Sequence, residues 1–123
     1  MTPHFSKAEL TCRCGCGMLP AQDFMDKVER LRVLYERPLP VNSAARCPEW
    51  NMQVSGTGRT GPHTTGRAID LGVSRGDAYR LLDLALKLGF TGIGVQQKGD
   101  KRFLHLDDLP DAPGQPRNTL WSY

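Results

Sequence analysis

Between Arg67 and Val73 the side chains alternate. Ile69, Leu71 and Val73 share one face of an extended chain, and Ala68, Asp70 and Gly72 share the other. The stretch Phe103–Asp107 repeats the arrangement, with Leu104 and Leu106 opposite Phe103, His105 and Asp107. If the two aliphatic faces lie under one helical cover, the carboxylates and the imidazole collect on the opposite face. Asp70, flanked by Ile69 and Leu71, needs a partner in so apolar a strand, and a cation is one.

Local signals place the remaining elements. Ser6 followed by Glu9 predicts a capped short helix, Lys7–Leu10. From Ala21 to Glu36, Phe24, Val28, Leu31 and Leu34 or Tyr35 recur at helical spacing, and Pro38 and Pro40 stop the run. Leu39–Asn42 reads as a short strand. Residues 52–62 contain Gly56, Gly58, Gly61 and Pro62 and read as a loop. Ser74, with Asp77 three residues on, predicts a second capping box, opening a helix with Leu81, Leu82, Ala85 and Leu88 as its apolar stripe and Gly89 as its stop. Gly89–Gln97 and Phe103–Asp107 read as the strands of a hairpin, and the proline-rich tail from Pro110 to Tyr123 as irregular. This order predicts an α+β domain with a small, mainly antiparallel sheet and helices packed on one face.

The 123 residues suit one domain, 1–123, with a modest core. No apolar run approaches the roughly 18 to 20 residues of a membrane span, and Met1–Leu10 lacks the charged-then-apolar pattern of a secretory signal. The net charge of +3 suits an anionic partner such as a cell-wall polymer or nucleic acid, and equally suits a solvated surface with no particular partner. No basic run is interleaved with aromatics, so nucleic-acid binding is not expected.

Two of the three histidines, His63 and His105, fall beside these strands. Two imidazoles and a carboxylate are a common ligand set for catalytic zinc, with a fourth position open. On one helix, His63 and Asp70 would stand about 10.5 Å apart along the axis. Gly61, Pro62 and Gly66 forbid a regular helix, so chelation requires the loop to fold back onto the strand. The four cysteines, Cys12, Cys14, Cys16 and Cys47, allow two readings: small buried thiols beside a glycine turn, which the spacing favours, or a four-sulfur structural site.

The segments SAARCPEWN (Ser43–Asn51), GPHTTGRAIDLGV (Gly61–Val73) and GFTGIGVQQKGDKRFLHLDD (Gly89–Asp108) occur in this order and, except at Gly61, fit the approximate pattern S-x-x-R-C-P-x-x-N, S-x-H-x-x-G-x-A-x-D and F-x-H-x-D. They resemble the zinc D-Ala-D-Ala carboxypeptidase and endopeptidase family, and in particular its compact branch, common among phage endolysins. The opening FSKAELTCRCGCG and closing LWSY extend the likeness over nearly the whole chain. The resemblance implies a fold like that of the D-Ala-D-Ala peptidases and the hedgehog domain. It also implies Zn2+ held by His63, Asp70 and His105, and a substrate-gripping role for Arg46, whose fork can hold a carboxylate bidentately. Ser43 and Asn51 are expected to shape the Arg46 loop.

The sequence departs from the family pattern at several positions. Gly61 replaces the serine before the first histidine, while Arg102 and Phe103 occupy the positions where relatives carry a proton acceptor. Asp107 is then the first candidate for general base and Asp100 the second; the alternative for Asp107 is to orient a ligand histidine. The resemblance implies hydrolysis of an amide bond in peptidoglycan stem peptides. It further implies a monomer made in the cytoplasm and acting on the cell wall after release, as a phage endolysin does. The other reading is a non-catalytic zinc-containing binding module on the same scaffold.

Overall fold

The computed structural model describes residues 1–123. The Ser6 hydroxyl accepts the Glu9 amide and starts α1 (Lys7–Leu10) as expected. The helix α2 (Gln22–Tyr35) buries Phe24, Met25, Val28, Leu31 and Tyr35 along one stripe. Glu36 closes it in the left-handed conformation, with its amide bonded to Arg32 O. Then come β1 (Val41–Ser43), α3 (Pro48–Val54) and a single 3-10 turn over Pro62–Thr65. The strand β2 (Ala68–Leu71) leads into α4 (Arg75–Lys87), and β3 (Gly92–Gln96), β4 (Phe103–Asp107) and β5 (Thr119–Ser122) complete the chain.

The five strands form one mixed sheet in the order β1-β2-β4-β3-β5. Every pairing is antiparallel except that of β3 with β5. The helices α2 and α4 cover one face, where Ile69, Leu71, Leu104 and Leu106 are buried with Phe24, Leu31 and Leu81. Phe24 and Phe90 meet edge to face there, with ring centroids 6.1 Å apart. The α+β class, the antiparallel bias and the helical cover of the aliphatic face all agree with the sequence. No helix is long and apolar enough to cross a membrane.

Several expectations fail. Residues 52–54 are helical, the last turn of α3. Pro48 starts this helix, needing no amide partner at its first position, and Cys47 caps it by accepting the Trp50 amide. The tail is not irregular throughout, because β5 runs parallel to β3 along the sheet edge. Ser74 precedes α4 but its side chain caps nothing; the amides of Asp77 and Ala78 bond to its carbonyl. Asp77 does not close the box either: it bonds Arg37 at 2.7 Å.

Candidate metal centre

The register of the sheet builds the centre of the site. Asp70 on β2 lies directly opposite His105 on β4, and Ala68 opposite Asp107. All three polar residues therefore stand on the face away from α2 and α4. That face is not left to solvent: Asp70 is 7% exposed, His105 3% and Asp107 0%. The 3-10 turn, the Arg46 loop and the side chains of Trp121 and Tyr123 cover it.

His63 arrives from the 3-10 turn. Thr64 and Thr65 hold the turn by donating their hydroxyls to Gly61 O and Pro62 O, each at 2.6 Å. Gly66 closes it at φ +75, a left-handed conformation that glycine adopts without a steric penalty. The loop thus folds back onto β2 and brings His63 Nε2 to 3.2 Å from Asp70 Oδ1. Gly61 has a steric reason of its own, since a Cβ there would collide with Thr57 Oγ1. That hydroxyl accepts from Asn51 Nδ2 at 2.8 Å.

The two imidazoles have their outward nitrogens occupied. His63 Nδ1 donates to Ala44 O at 2.6 Å, and His105 Nε2 donates to Asp107 Oδ2 at 2.7 Å. In the neutral rings this leaves His63 Nε2 and His105 Nδ1 as lone-pair acceptors, and both face Asp70 Oδ1, the latter at 3.0 Å. Three acceptors converge with no proton assigned between them. The donor atoms of His63, Asp70 and His105 all lie within 4.8 Å of one another. A cation among them satisfies all three, and imidazole nitrogen with carboxylate oxygen is a set that suits zinc.

The electrostatics favour positive charge at this point. Without a cation, a proton on these rings takes its place: burial raises the Asp70 carboxyl, but hydrogen bonds from His105 and His63 in that protonated state outweigh it and hold it well below the usual carboxylate range. Burial disfavours a charged His105, yet Asp107 and Asp70 on its two sides push its proton affinity up.

Asp107 lies behind His105. Arg117 grips it with two bonds, Nε to Oδ1 at 2.8 Å and Nη2 to Oδ2 at 2.9 Å, and the Leu109 amide adds a third at 3.3 Å. Burial raises its carboxyl, and the contacts with His105 and Arg117 lower it further than burial lifts it. The cleft in front of the donors, ≈ 690 Å³, is lined by His63, Asp70, His105, Arg46, Trp121 and Tyr123 among others, and not by Asp107. Asp100 lies elsewhere, on the hairpin turn, in a second cleft with Arg75, Asp77 and Arg102.

Arg46 reaches the centre from the loop before α3. Its Nη2 is 3.5 Å from Asp70 Oδ2, Nε donates to Ser43 Oγ at 2.9 Å, and Nη1 donates to Asn51 Oδ1 at 3.1 Å. Ser43 and Asn51 thus hold the guanidinium, as the sequence suggests. Three residues of the site were not anticipated there. Arg117 clamps Asp107, Trp121 stacks 5.2 Å from His105, and Tyr123 packs 5.3 Å from Phe103. Trp121 and Tyr123 stand over Gly94, where a Cβ would come within 2.6 Å of Trp121 Nε1 and 2.8 Å of the Tyr123 hydroxyl. An arginine in a proline-rich tail carries no signal of this role; the two aromatics in the closing four residues were the available clue.

A family model described as Peptidase M15 matches residues 3–107. No curated protein matches the chain.

Proposed function

The chain belongs to the peptidase M15 family, and from that footing we propose that it is a zinc metallopeptidase hydrolysing an amide bond in peptidoglycan stem peptides. The bond is an internal one, as for an endolysin-type endopeptidase, or the terminal D-Ala-D-Ala bond. Residues 1–123 act as one domain and as a monomer, reaching the wall after release from the cytoplasm. One observation carries the reading: three acceptors meet at the cleft floor, with both outward ring nitrogens already bonded.

His63, His105 and Asp70 would hold the metal, through the ring nitrogens and carboxylate that face one another. Zinc supplies Lewis acidity there, polarising a carbonyl and lowering the pKa of water. Arg46 presents a fixed guanidinium beside that position, suited to a substrate carboxylate or to negative charge developing on a carbonyl oxygen. Ala44 O and Asp107 fix the two ring orientations. With its oxygens bonded to His105, Arg117 and Leu109, Asp107 is suited to orienting His105 and not to taking a proton from the cleft. Phe103, Trp121 and Tyr123 offer an apolar wall for the peptide. Partial burial lifts the Tyr123 phenol above its ordinary value, so at neutral pH it is a hydroxyl donor.

The binding-module reading draws on one feature. Asp70 is the sole carboxylate among the residues lining the cleft. Digestion of purified peptidoglycan by the zinc-loaded protein, with products identified by mass spectrometry, decides between the two. New termini that appear with wild type and vanish with His105→Ala support the peptidase. Retention of peptidoglycan without any cleavage supports the module.

A further inference from the structure

The cysteines offer a second metal position away from the cleft. Gly15 and Gly17, at φ +88 and +87, turn the chain so that residues 12–18 close on themselves, with the Cys12 amide bonded to Met18 O at 2.9 Å. This knuckle brings Cys12, Cys14 and Cys16 to Cys47, the residue that caps α3. All four sulfurs lie within 4.8 Å of one another, with Cys12 Sγ to Cys14 Sγ at 3.4 Å and Cys14 Sγ to Cys47 Sγ at 3.5 Å. Sulfurs bound about 2.3 Å from a tetrahedral zinc stand about 3.8 Å apart. A disulfide requires one pair at about 2.05 Å, and no pair here is set apart from the rest.

Two further features suit metal-bound thiolates. The Cys47 amide donates to Cys12 Sγ at 3.3 Å, and the Trp50 amide donates to Cys47 Sγ at 3.4 Å. Amides aimed at sulfur stabilise its charged form. The two exposed thiols also bear on the simpler reading of the sequence. Cys14 and Cys16 are exposed, so they are not small buried hydrophobes.

We propose that Cys12, Cys14, Cys16 and Cys47 bind a second, structural zinc ion that fastens the N-terminal knuckle to the start of α3. Its use follows from position. Cys47 adjoins Arg46, and α3 carries Asn51, which holds the Arg46 guanidinium. The metal thereby fixes one wall of the cleft without touching it.

Protein produced in zinc-supplemented medium and purified under a non-thiol reductant is analysed for zinc per chain and for thiols reactive with Ellman's reagent. Wild type is expected to hold two zinc ions and to protect its thiols until a strong chelator is added. The double variant Cys14→Ser/Cys16→Ser is expected to hold one zinc, which is lost on adding His105→Ala. Thiol protection in wild type serves as the readout if the double variant fails to fold. An unchanged zinc content in Cys14→Ser/Cys16→Ser overturns the proposal, as does prompt reaction of Cys14 and Cys16 in zinc-loaded wild type. A stable disulfide in the intact mass of protein prepared without reductant overturns it as well. The absolute zinc counts rest on the proposed cleft metal, but the zinc lost between wild type and Cys14→Ser/Cys16→Ser and the protection of the thiols report on the cysteine site alone.

Discussion

The His105 ring donates from Nε2 to Asp107 Oδ2 across 2.7 Å, between two residues on the same face of one strand. The proton on that nitrogen commits Nδ1 to the metal position. Orientation by a carboxylate behind a ligand histidine typically contributes 10- to 100-fold in metal affinity. Asp107→Asn is therefore expected to weaken zinc binding at the cleft by about that factor, measured by competition with a chromophoric chelator. An unchanged zinc affinity with a collapsed kcat would instead assign Asp107 to proton transfer.

Arg46→Lys tests the fork. Lysine keeps the charge but cannot bond Ser43 and Asn51 while also facing Asp70. Hydrogen bonds from a charged group contribute about 1.5–3 kcal/mol, so kcat/KM is expected to fall about 10- to 100-fold at unchanged zinc content. Full activity in the lysine variant would show that the guanidinium contacts are dispensable.

Metal removal should appear as lost stability. In the Cys14→Ser/Cys16→Ser background, free zinc at about 100 times its Kd stabilises the folded state by about 2.7 kcal/mol. For a chain of this length that is a Tm shift of roughly 10 °C. The shift should disappear in His63→Ala. Equal melting with and without zinc in the parent would contradict a preformed three-ligand site.

Arg67 ties three elements together. It grips Asp108 with Nε and Nη2, both at 2.8 Å, and Asp23 at the start of α2 at 2.9 and 3.0 Å. Arg67→Ala leaves the half-buried Asp108, whose side chain is 6% exposed, with Lys27 alone, at 3.2 Å. The expected cost is about 1–3 kcal/mol, checked by denaturant unfolding at pH 7. A change below a few tenths of that range would reduce the network to surface decoration.

Acid should weaken a different contact. Burial raises Glu29, but the His4 side chain and amide outweigh it and hold the carboxyl below its ordinary value. A folded-state value lower than the unfolded one gives stability that is present above the ordinary glutamate range and lost as pH falls through the depressed value. The stability difference between wild type and Glu29→Gln should therefore be largest near neutrality and close below about pH 4. A difference that stays constant across this window would remove Glu29 from the acid response.

What the sequence disclosed, and what it did not, follows from the range of the forces involved. Alternation at Ile69, Leu71, Leu104 and Leu106 is a local consequence of strand geometry, so the face carrying Asp70 and His105 was legible. Their direct pairing depended on a register that no local pattern specifies. The helix α3 went unseen because only Asn51 among its residues is buried, leaving no apolar period to detect. The strand β5 alternates between half-buried and exposed residues and pairs in parallel with a strand more than 20 residues earlier, so neither burial nor a hairpin turn announces it. Arg117 could not be assigned before the path of that strand was known.

Gly94 serves as a bare surface on which Trp121 and Tyr123 rest. Two of the three aromatics are thus laid against the sheet from β5 and the residue after it, whereas His63, Asp70 and His105 come from the 3-10 turn, β2 and β4. Under the proposed peptidase reading, variation at Tyr123, which packs on Phe103 and not on a donor residue, tests peptide preference, whereas Trp121 packs against His105 and bears on the metal position.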